Sequence, residues 1–305
     1  MVRQLKNIGT LLLAFSFYMG KAQQETDSIY PRLEKFPVFS MDYFDYPNSD
    51  FEIDSGEGQL KMNEFRAAVQ IVSSLKKDKT YLFNKLQYSL LSYEADFDIN
   101  TLNSEKDFHA IEYTLGLIQV LPQRWRLIAT ATPMLSSDFE ESISSDDFLL
   151  QATGLAIKRS NEYLEYGFGF TYTTKFGNPL LLPVLKLTYK KNKWSTLISL
   201  PSYASQFYDI NEKTKIGLKI AVFGNAFNAS FREGLYSSDV NRVVYSRITL
   251  GPEIQVRLIK DLYFNASSGI RLRNILEVQD SDLSTIGDFD IDNQLFFNVG
   301  LKILK

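Results

Sequence analysis

The sequence predicts an all-β protein, a single antiparallel transmembrane β-barrel of about 14 strands, with 12 as the alternative count. Three observations carry that prediction. Apolar side chains recur at every second position over segments of about 8 to 16 residues, the period of a half-buried strand and not of a helix. Tight and long connections alternate between those segments, the pattern of a barrel with short turns at one end and longer loops at the other. The composition leans the same way, since 23 Phe and 17 Tyr among 305 residues favour strands.

The chain divides in three. Residues 1–22 read as a cleaved secretory signal peptide: Arg3 and Lys6 precede an apolar run from Ile8 to Met19, and small residues follow at Gly20 and Ala22. About a dozen apolar residues are too few for a helical span, which needs about 20. Residues 23–35 are polar and read as a periplasmic tail, and residues 36–305 as an outer-membrane barrel. Without Arg3, Lys6 and Lys21, 30 basic residues stand against 36 acidic ones, a net charge of -6 that gives no basic footprint for nucleic acid.

Strand cores are expected near 36–46, 61–75, 80–93, 108–121, 125–135, 147–158 and 163–174, then 180–190, 193–200, 202–210, 214–228, 242–258, 262–277 and 290–304. The first is poorly patterned. The clearest begins at Leu164, where Leu164, Tyr166, Phe168, Phe170 and Tyr172 oppose Glu165, Gly167, Gly169, Thr171 and Thr173. In the last, Ile291, Leu295, Phe297, Val299, Leu301 and Ile303 oppose Asp292, Gln294, Asn298, Gly300 and Lys302, with Phe296 and Leu304 as exceptions. Tight turns fall at Lys76 to Lys79, Pro122 to Arg124, Arg159 to Glu162, Lys190 to Lys193, Asn211 to Lys213 and Ile259 to Asp261. Long connections fall near 46–59, 94–107, 136–147, 229–241 and 279–290. The joint at Leu200 to Ser202 must turn within a few residues around Pro201. Strands this long exceed those of a soluble sandwich, whose usual length is about 5 to 6 residues, and suit a tilted membrane crossing. With both chain ends on the side of the tight turns, the strand number must be even.

The signal ending KAQQ, the hairpins KLTYKKNKW and QFYDINEKTKIGL, and the LPxY stretch at Leu200 to Tyr203 resemble an uncharacterised Bacteroidota-type outer-membrane β-barrel family, classed as a domain of unknown function. The resemblance spans nearly all of the mature chain and implies a location in the outer membrane, with no activity attached. The final stretch NVGLKILK resembles the signal read by the barrel-assembly machinery, although it ends in Lys305 and not in an aromatic residue. Membrane lipid, lipopolysaccharide and that machinery are the partners implied.

The chemistry available to the chain is narrow. It has no Cys and one His, which excludes disulfides, thiolate sites and a cysteine nucleophile. His109 shares its strand face with Ile111 and Tyr113, and could serve a lipid hydrolase only with Ser92 or Ser137 beside it. Asp96, Asp98, Asn100 and Asp107 follow the spacing of a calcium loop, but Thr101 stands where that loop needs Gly. Asp288, Asp290 and Asp292 alternate similarly at the start of a strand. Gly167 and Gly169 do not make a dinucleotide motif, because Tyr172 replaces the third Gly and no helix follows. No catalytic residue, metal site or cofactor is assigned.

The interior is the strongest functional feature. Projecting the polar face of each strand inward gathers Arg66, Lys85, Glu112, Arg126, Glu165, Lys186, Arg247, Glu253, Arg257, Arg271 and Arg273, with basic residues outnumbering acids eight to three. A lumen lined in this way favours a small anionic solute. The expected function is therefore a passive or gated passage; a closed structural or partner-binding barrel, an apolar-ligand transporter and a lipid-active barrel enzyme are the alternatives.

Overall fold

The computed structural model describes residues 36–53, 56–97, 104–229, 240–292 and 294–304. The expected signal peptide and periplasmic tail, residues 1–35, lie outside the described residues, as do Asp98 and Asn100 of the calcium spacing.

Alternating side chains and tight turns produce an up-and-down barrel. Its strands are β1 (Pro37–Ile53), β2 (Gly56–Lys76), β3 (Thr80–Phe97), β4 (Ser104–Leu121), β5 (Trp125–Ser137), β6 (Phe148–Arg159), β7 (Leu164–Thr173) and β8 (Leu180–Lys191). They continue as β9 (Trp194–Leu200), β10 (Tyr203–Asp209), β11 (Thr214–Asn228), β12 (Arg242–Ile259), β13 (Leu262–Gln279), β14 (Thr285–Asp290) and β15 (Leu295–Leu304). Each of β1 to β13 pairs antiparallel with the next, and β15 closes the sheet between β13 and β1. β14 and β15 are two halves of one barrel strand. Both pair with β13, and Ile270 faces Leu295 as Ile275 faces Asp290, so the register crosses the break without a slip. The closed barrel thus has fourteen strands, as expected.

The expected long connections are shorter than the sequence pattern suggested. The β1–β2 ladder runs out to Ile53 opposite Gly56, and β3 pairs with β4 as far as Ala95 opposite Ser104. Above the lipid a strand no longer needs an apolar outer face, so the hydropathy pattern fades while the hydrogen-bond ladder continues.

Turn chemistry fixes the opposite end. Asp78, Gln123, Arg124, Asn192 and Lys260 take φ between 42 and 63°, the left-handed backbone of tight hairpins. At the two remaining turns an asparagine performs the reversal. The Asn161 side-chain oxygen accepts from the backbone N–H groups of Tyr163 and Leu164 at 2.8 and 2.9 Å, and Asn211 does the same for Lys213 and Thr214.

The outer face is apolar over its middle, with Leu115, Leu117, Phe168, Phe170, Leu185 and Val299 among its exposed side chains. Near the tight turns an aromatic belt follows. Trp194 lies 4.9 Å from Tyr208, and Trp125 lies 6.4 Å from Phe168 in an edge contact. Lys158, Lys191 and Lys193 reach over rings of this belt, as cations do where an apolar slab meets water. Among the described residues no helix is long and apolar enough to cross a membrane.

The wall is uneven. β9 and β10 have seven residues each, and their connection is the turn at Pro201 and Ser202. At about 3.3 Å per residue and a tilt of about 40°, seven residues climb about 18 Å, less than the apolar band of about 25 Å. The wall therefore drops below the outer edge of the band at this hairpin.

Val299 is on the outer face, whereas Asn298 points inward, donating to the Tyr43 carbonyl at 3.1 Å and accepting from Asn265 at 3.3 Å. Val299→Arg is expected to lower folding stability into lipid vesicles by about 2 to 4 kcal/mol, and Asn298→Leu by about 1 kcal/mol. Urea titration of both variants measures this, and wild-type stability of Val299→Arg would mean that the two faces are exchanged.

Candidate functional site

The loop end of the barrel is shut by its own strands. The β10–β11 ladder ends at Ala221, Val222 N–H still donates to the Ser202 carbonyl at 2.8 Å, and the far end of β11 reaches β5. Asn228 pairs with Ser137, the Ser136 hydroxyl donates to the Ala226 carbonyl at 2.6 Å, and Asp138 N–H donates to the Asn228 carbonyl at 3.1 Å. The loop-side ends of β11 and β12 are thus buried on both faces. On one side Phe227, Val243 and Tyr245 join Tyr46, Met62, Leu91 and Phe108 in an apolar cluster. On the other, Ala226 and Val244 pack on Met134 and Leu149. Phe108 and Phe227 stack with ring centroids 5.0 Å apart. Phe296, the apolar exception in its strand, belongs to this cluster, and so does Ile291, which was expected in the outward row.

A short turn from Ser145 to Asp147 braces the tip, with Ser144 as its cap. Asn228 donates to the Asp147 carboxylate at 3.0 Å and Arg242 to the Asp146 carbonyl at 3.4 Å. Burial raises the affinity of Asp147 for a proton, but hydrogen bonds from Ser137, Ser144 and Asn228 outweigh it and hold the carboxyl below its ordinary value. Its stabilising effect is present above the ordinary aspartate range and is lost as pH falls through the depressed value.

Directly beneath the apolar cluster sits a charged knot. Arg247 and Glu64 are fully buried and form an ion pair. Glu64 also accepts from Arg66 at 2.7 Å, and Arg247 donates to the Tyr46 hydroxyl at 2.8 Å and to Asn225 at 3.2 Å. The Arg247 guanidinium lies 4.8 to 4.9 Å from the ring centroids of Tyr46, Phe223 and Tyr245, a cation–π cage that compensates for lost water. Arg271, also fully buried, bonds to Ser49 and lies 5.5 Å from the Tyr46 ring.

Below the knot is a cavity of about 200 Å³. Arg66, Gln87, Ser89 and Glu112 line it from one side of the barrel, and Lys175, Phe176, Leu182, Pro201 and Val222 from the other. Lys175 comes from the β7–β8 loop and reaches across to Glu112, at 2.8 and 2.9 Å from its two carboxylate oxygens.

The structure distributes the expected lumen residues unequally. Arg66 and Glu112 line the cavity, and Lys85 lies outside its lining but is joined to it: Lys85 donates to Gln87 at 2.7 Å, and Gln87 donates to Glu112 at 3.2 Å. Arg126 and Glu165 form a separate buried ion pair. Glu253 accepts from Lys219 at 3.1 Å. Lys186 and Arg257 are half-buried on the inward faces of β8 and β12. Arg247 and Arg271 meet at Tyr46, but Arg273 does not join them. A bulge places both Leu272 and Arg273 on the exposed side, with Arg273 opposite Ile248 and Arg271 opposite Thr249.

Three charged residues of the interior, Glu64, Lys219 and Lys175, are absent from the set expected from the sequence. Glu64 and Lys219 share strand parity with Arg66 and with the inward face of β11, so alternation alone could have found them. Lys175 lies in a loop, where parity carries no information. His109 is on the outer face, bonded to the Tyr88 hydroxyl at 2.8 Å and 5.6 Å from the Phe139 ring. Ser137 pairs with it in the register, yet its hydroxyl accepts from Phe139 N–H. Ser92 donates to Asp107. Among the described residues no cluster of three or more metal-ligating side chains forms.

Fold and site together define a class: a transmembrane β-barrel with a polar interior, closed at its loop end by an inward hairpin. The chain belongs to a family described as a domain of unknown function, DUF6268, which matches residues 21–304. No protein of curated function matches it. Among solved structures it is similar to the COG4313 outer membrane channel from Pseudomonas putida F1, at 10% identity and a TM-score of 0.46, over 93% of this chain and 100% of that one. It is also similar to the translocator domain of the autotransporter NalP from Neisseria meningitidis, at 12% identity and 0.38, over 98% and 95%. The Pseudomonas putida toluene transporter TodX matches at 9% identity and 0.38, over 87% and 88%. Nothing about a solute follows from likenesses of this size.

Because Arg247 and Glu64 have no access to water, Glu64→Gln is expected to destabilise the barrel by about 3 to 5 kcal/mol, while the joint change Glu64→Gln with Arg247→Met recovers most of the loss. A double-mutant cycle in urea checks this, and additive losses would show that the pair does not act as a unit.

Proposed function

We propose that this chain is an outer-membrane barrel that passes a small solute by a gated route, with the long-loop end at the cell surface and the β11–β12 hairpin as the gate. The observation that carries the reading is a polar cavity directly beneath a closure made by one hairpin. Two basic groups, Arg66 and Lys175, line the cavity against one acidic group, Glu112, beneath the Arg247–Glu64 pair, so an anionic solute is preferred. The apolar outer face, the aromatic belt and the expected signal peptide support an outer-membrane location, with membrane lipid and lipopolysaccharide around the barrel and the barrel-assembly machinery as its route of insertion.

A closed structural or partner-binding barrel is the second reading, favoured by the ion pairs Arg126–Glu165 and Arg247–Glu64, which neutralise much of the interior. Conductance separates the two. In planar bilayers the wild type should be mostly shut, and Phe108→Ala with Phe227→Ala, which removes the stacked pair seating the hairpin, should open it with a preference for anions. A heat-modifiable gel shift reports that the barrel is folded. A folded double variant as silent as the wild type contradicts the gate and favours the structural reading.

A further inference from the structure

The barrel wall has an opening toward lipid. β8 pairs with β9 only from Leu185 to Lys191, and β10 pairs with β11 only as far as Ala221. The β8 edge from Leu180 to Val184 and the β11 edge from Phe223 to Asn225 thus face a notch whose sill is the Pro201–Ser202 turn. That sill lies about 18 Å up a band of about 25 Å, so the notch opens within the apolar slab. Its β8 lip is apolar on both faces: Leu181 and Leu185 are exposed outward, and Leu182 lines the cavity. No strand fills the gap. The β7–β8 loop does so instead, with Phe176 lying so close to Gly224 that an added Cβ would meet its ring at 2.6 Å. The only ion pair recorded for this loop among the described residues is that of Lys175 with Glu112.

We infer that the notch is a side door through which an amphiphile with an anionic head group moves between the bilayer and the cavity. The inference rests on the gated-passage reading and names its substrate class. A fully water-soluble anion has no need of a lipid-facing opening, and a plain hydrocarbon makes no use of the donors Arg66 and Lys175 in the cavity lining. An amphiphile matches both ends: its chain lies against Leu182 and Val222, and its carboxylate or phosphate meets Lys175 and Arg66. In taking Lys175 from Glu112, the head group also releases the loop that fills the notch.

The test uses purified barrel in phosphatidylcholine vesicles and a dansylated undecanoate. Saturable binding of the acid, but not of its methyl ester, is expected. Lys175→Gln should weaken that binding about tenfold or more. Val222→Trp, or Ser202→Trp should the first fail to fold, should slow arrival of the probe from the membrane severalfold. Equal binding of acid and ester, or entry at the wild-type rate past both tryptophans, overturns the side door. Displacement by inorganic phosphate as readily as by unlabelled undecanoate assigns the cavity to a free anion and overturns the amphiphile. If these arms fail while the Phe108→Ala, Phe227→Ala variant still conducts, the gated passage stands without its side door.

Discussion

A guanidinium with no access to water must find its counter-charge and its hydrogen bonds inside the barrel, and Arg247 sets that condition for everything around it. Glu64 supplies the charge from β2, Tyr46 a hydroxyl from β1 and Asn225 an amide from β11. Three aromatic rings supply the walls. These groups come from strands that are not neighbours in the wall, with β13, β15 and β1 between β12 and β2, and they meet across the lumen where β11 and β12 lean inward. The lean in turn presents Phe227 and Val243 to the apolar cluster and Ala226 and Val244 to β5 and β6. Burying a charge is costly without such compensation, and the pair therefore specifies one position of the hairpin more than it adds stability.

The consequences extend to the wall. When β11 leaves the cylinder above Ala221, its edge is free for part of its length and then meets β5 at Asn228. The short β9–β10 hairpin fits that departure, because taller strands there would have no neighbour to pair with. Above the lipid the barrel narrows onto its apolar closure; below the Pro201–Ser202 turn all fourteen strands surround a polar interior. Closure, cavity and notch are three results of the same inward lean.

Much of this was legible in the sequence, for identifiable reasons. Period-two alternation placed the strands within a few residues, since an outer face in lipid tolerates no slip of register. The tight turns were legible because Asp78, Asn161, Asn192 and Asn211 perform chemistry that few residues can. The inward arginines followed from parity until parity failed: one extra residue at Leu272 and Arg273 sends Arg273 to the outside. The break between β14 and β15 and the strand extensions above the lipid left no hydropathy signal. The inward lean was illegible because it depends on a contact between Arg247 and Glu64, far apart in the chain, and Lys175 was invisible because loop residues carry no face. The apolar run from Leu180 to Leu185 was the one local sign of the notch, since a strand between lipid and a wet lumen should alternate and this one does not.

The account depends on the hairpin shutting the cavity from the cell surface. The chain has no native cysteine, so Gln87→Cys in the cavity and Glu141→Cys on the exposed loop each give one reactive thiol. Labelling intact cells with a charged, membrane-impermeant maleimide compares them directly. The account predicts rapid reaction at position 141 and little at position 87, with position 87 becoming reactive when Phe108 and Phe227 are also replaced by Ala. Equal reaction at both positions in the otherwise wild-type barrel would contradict it.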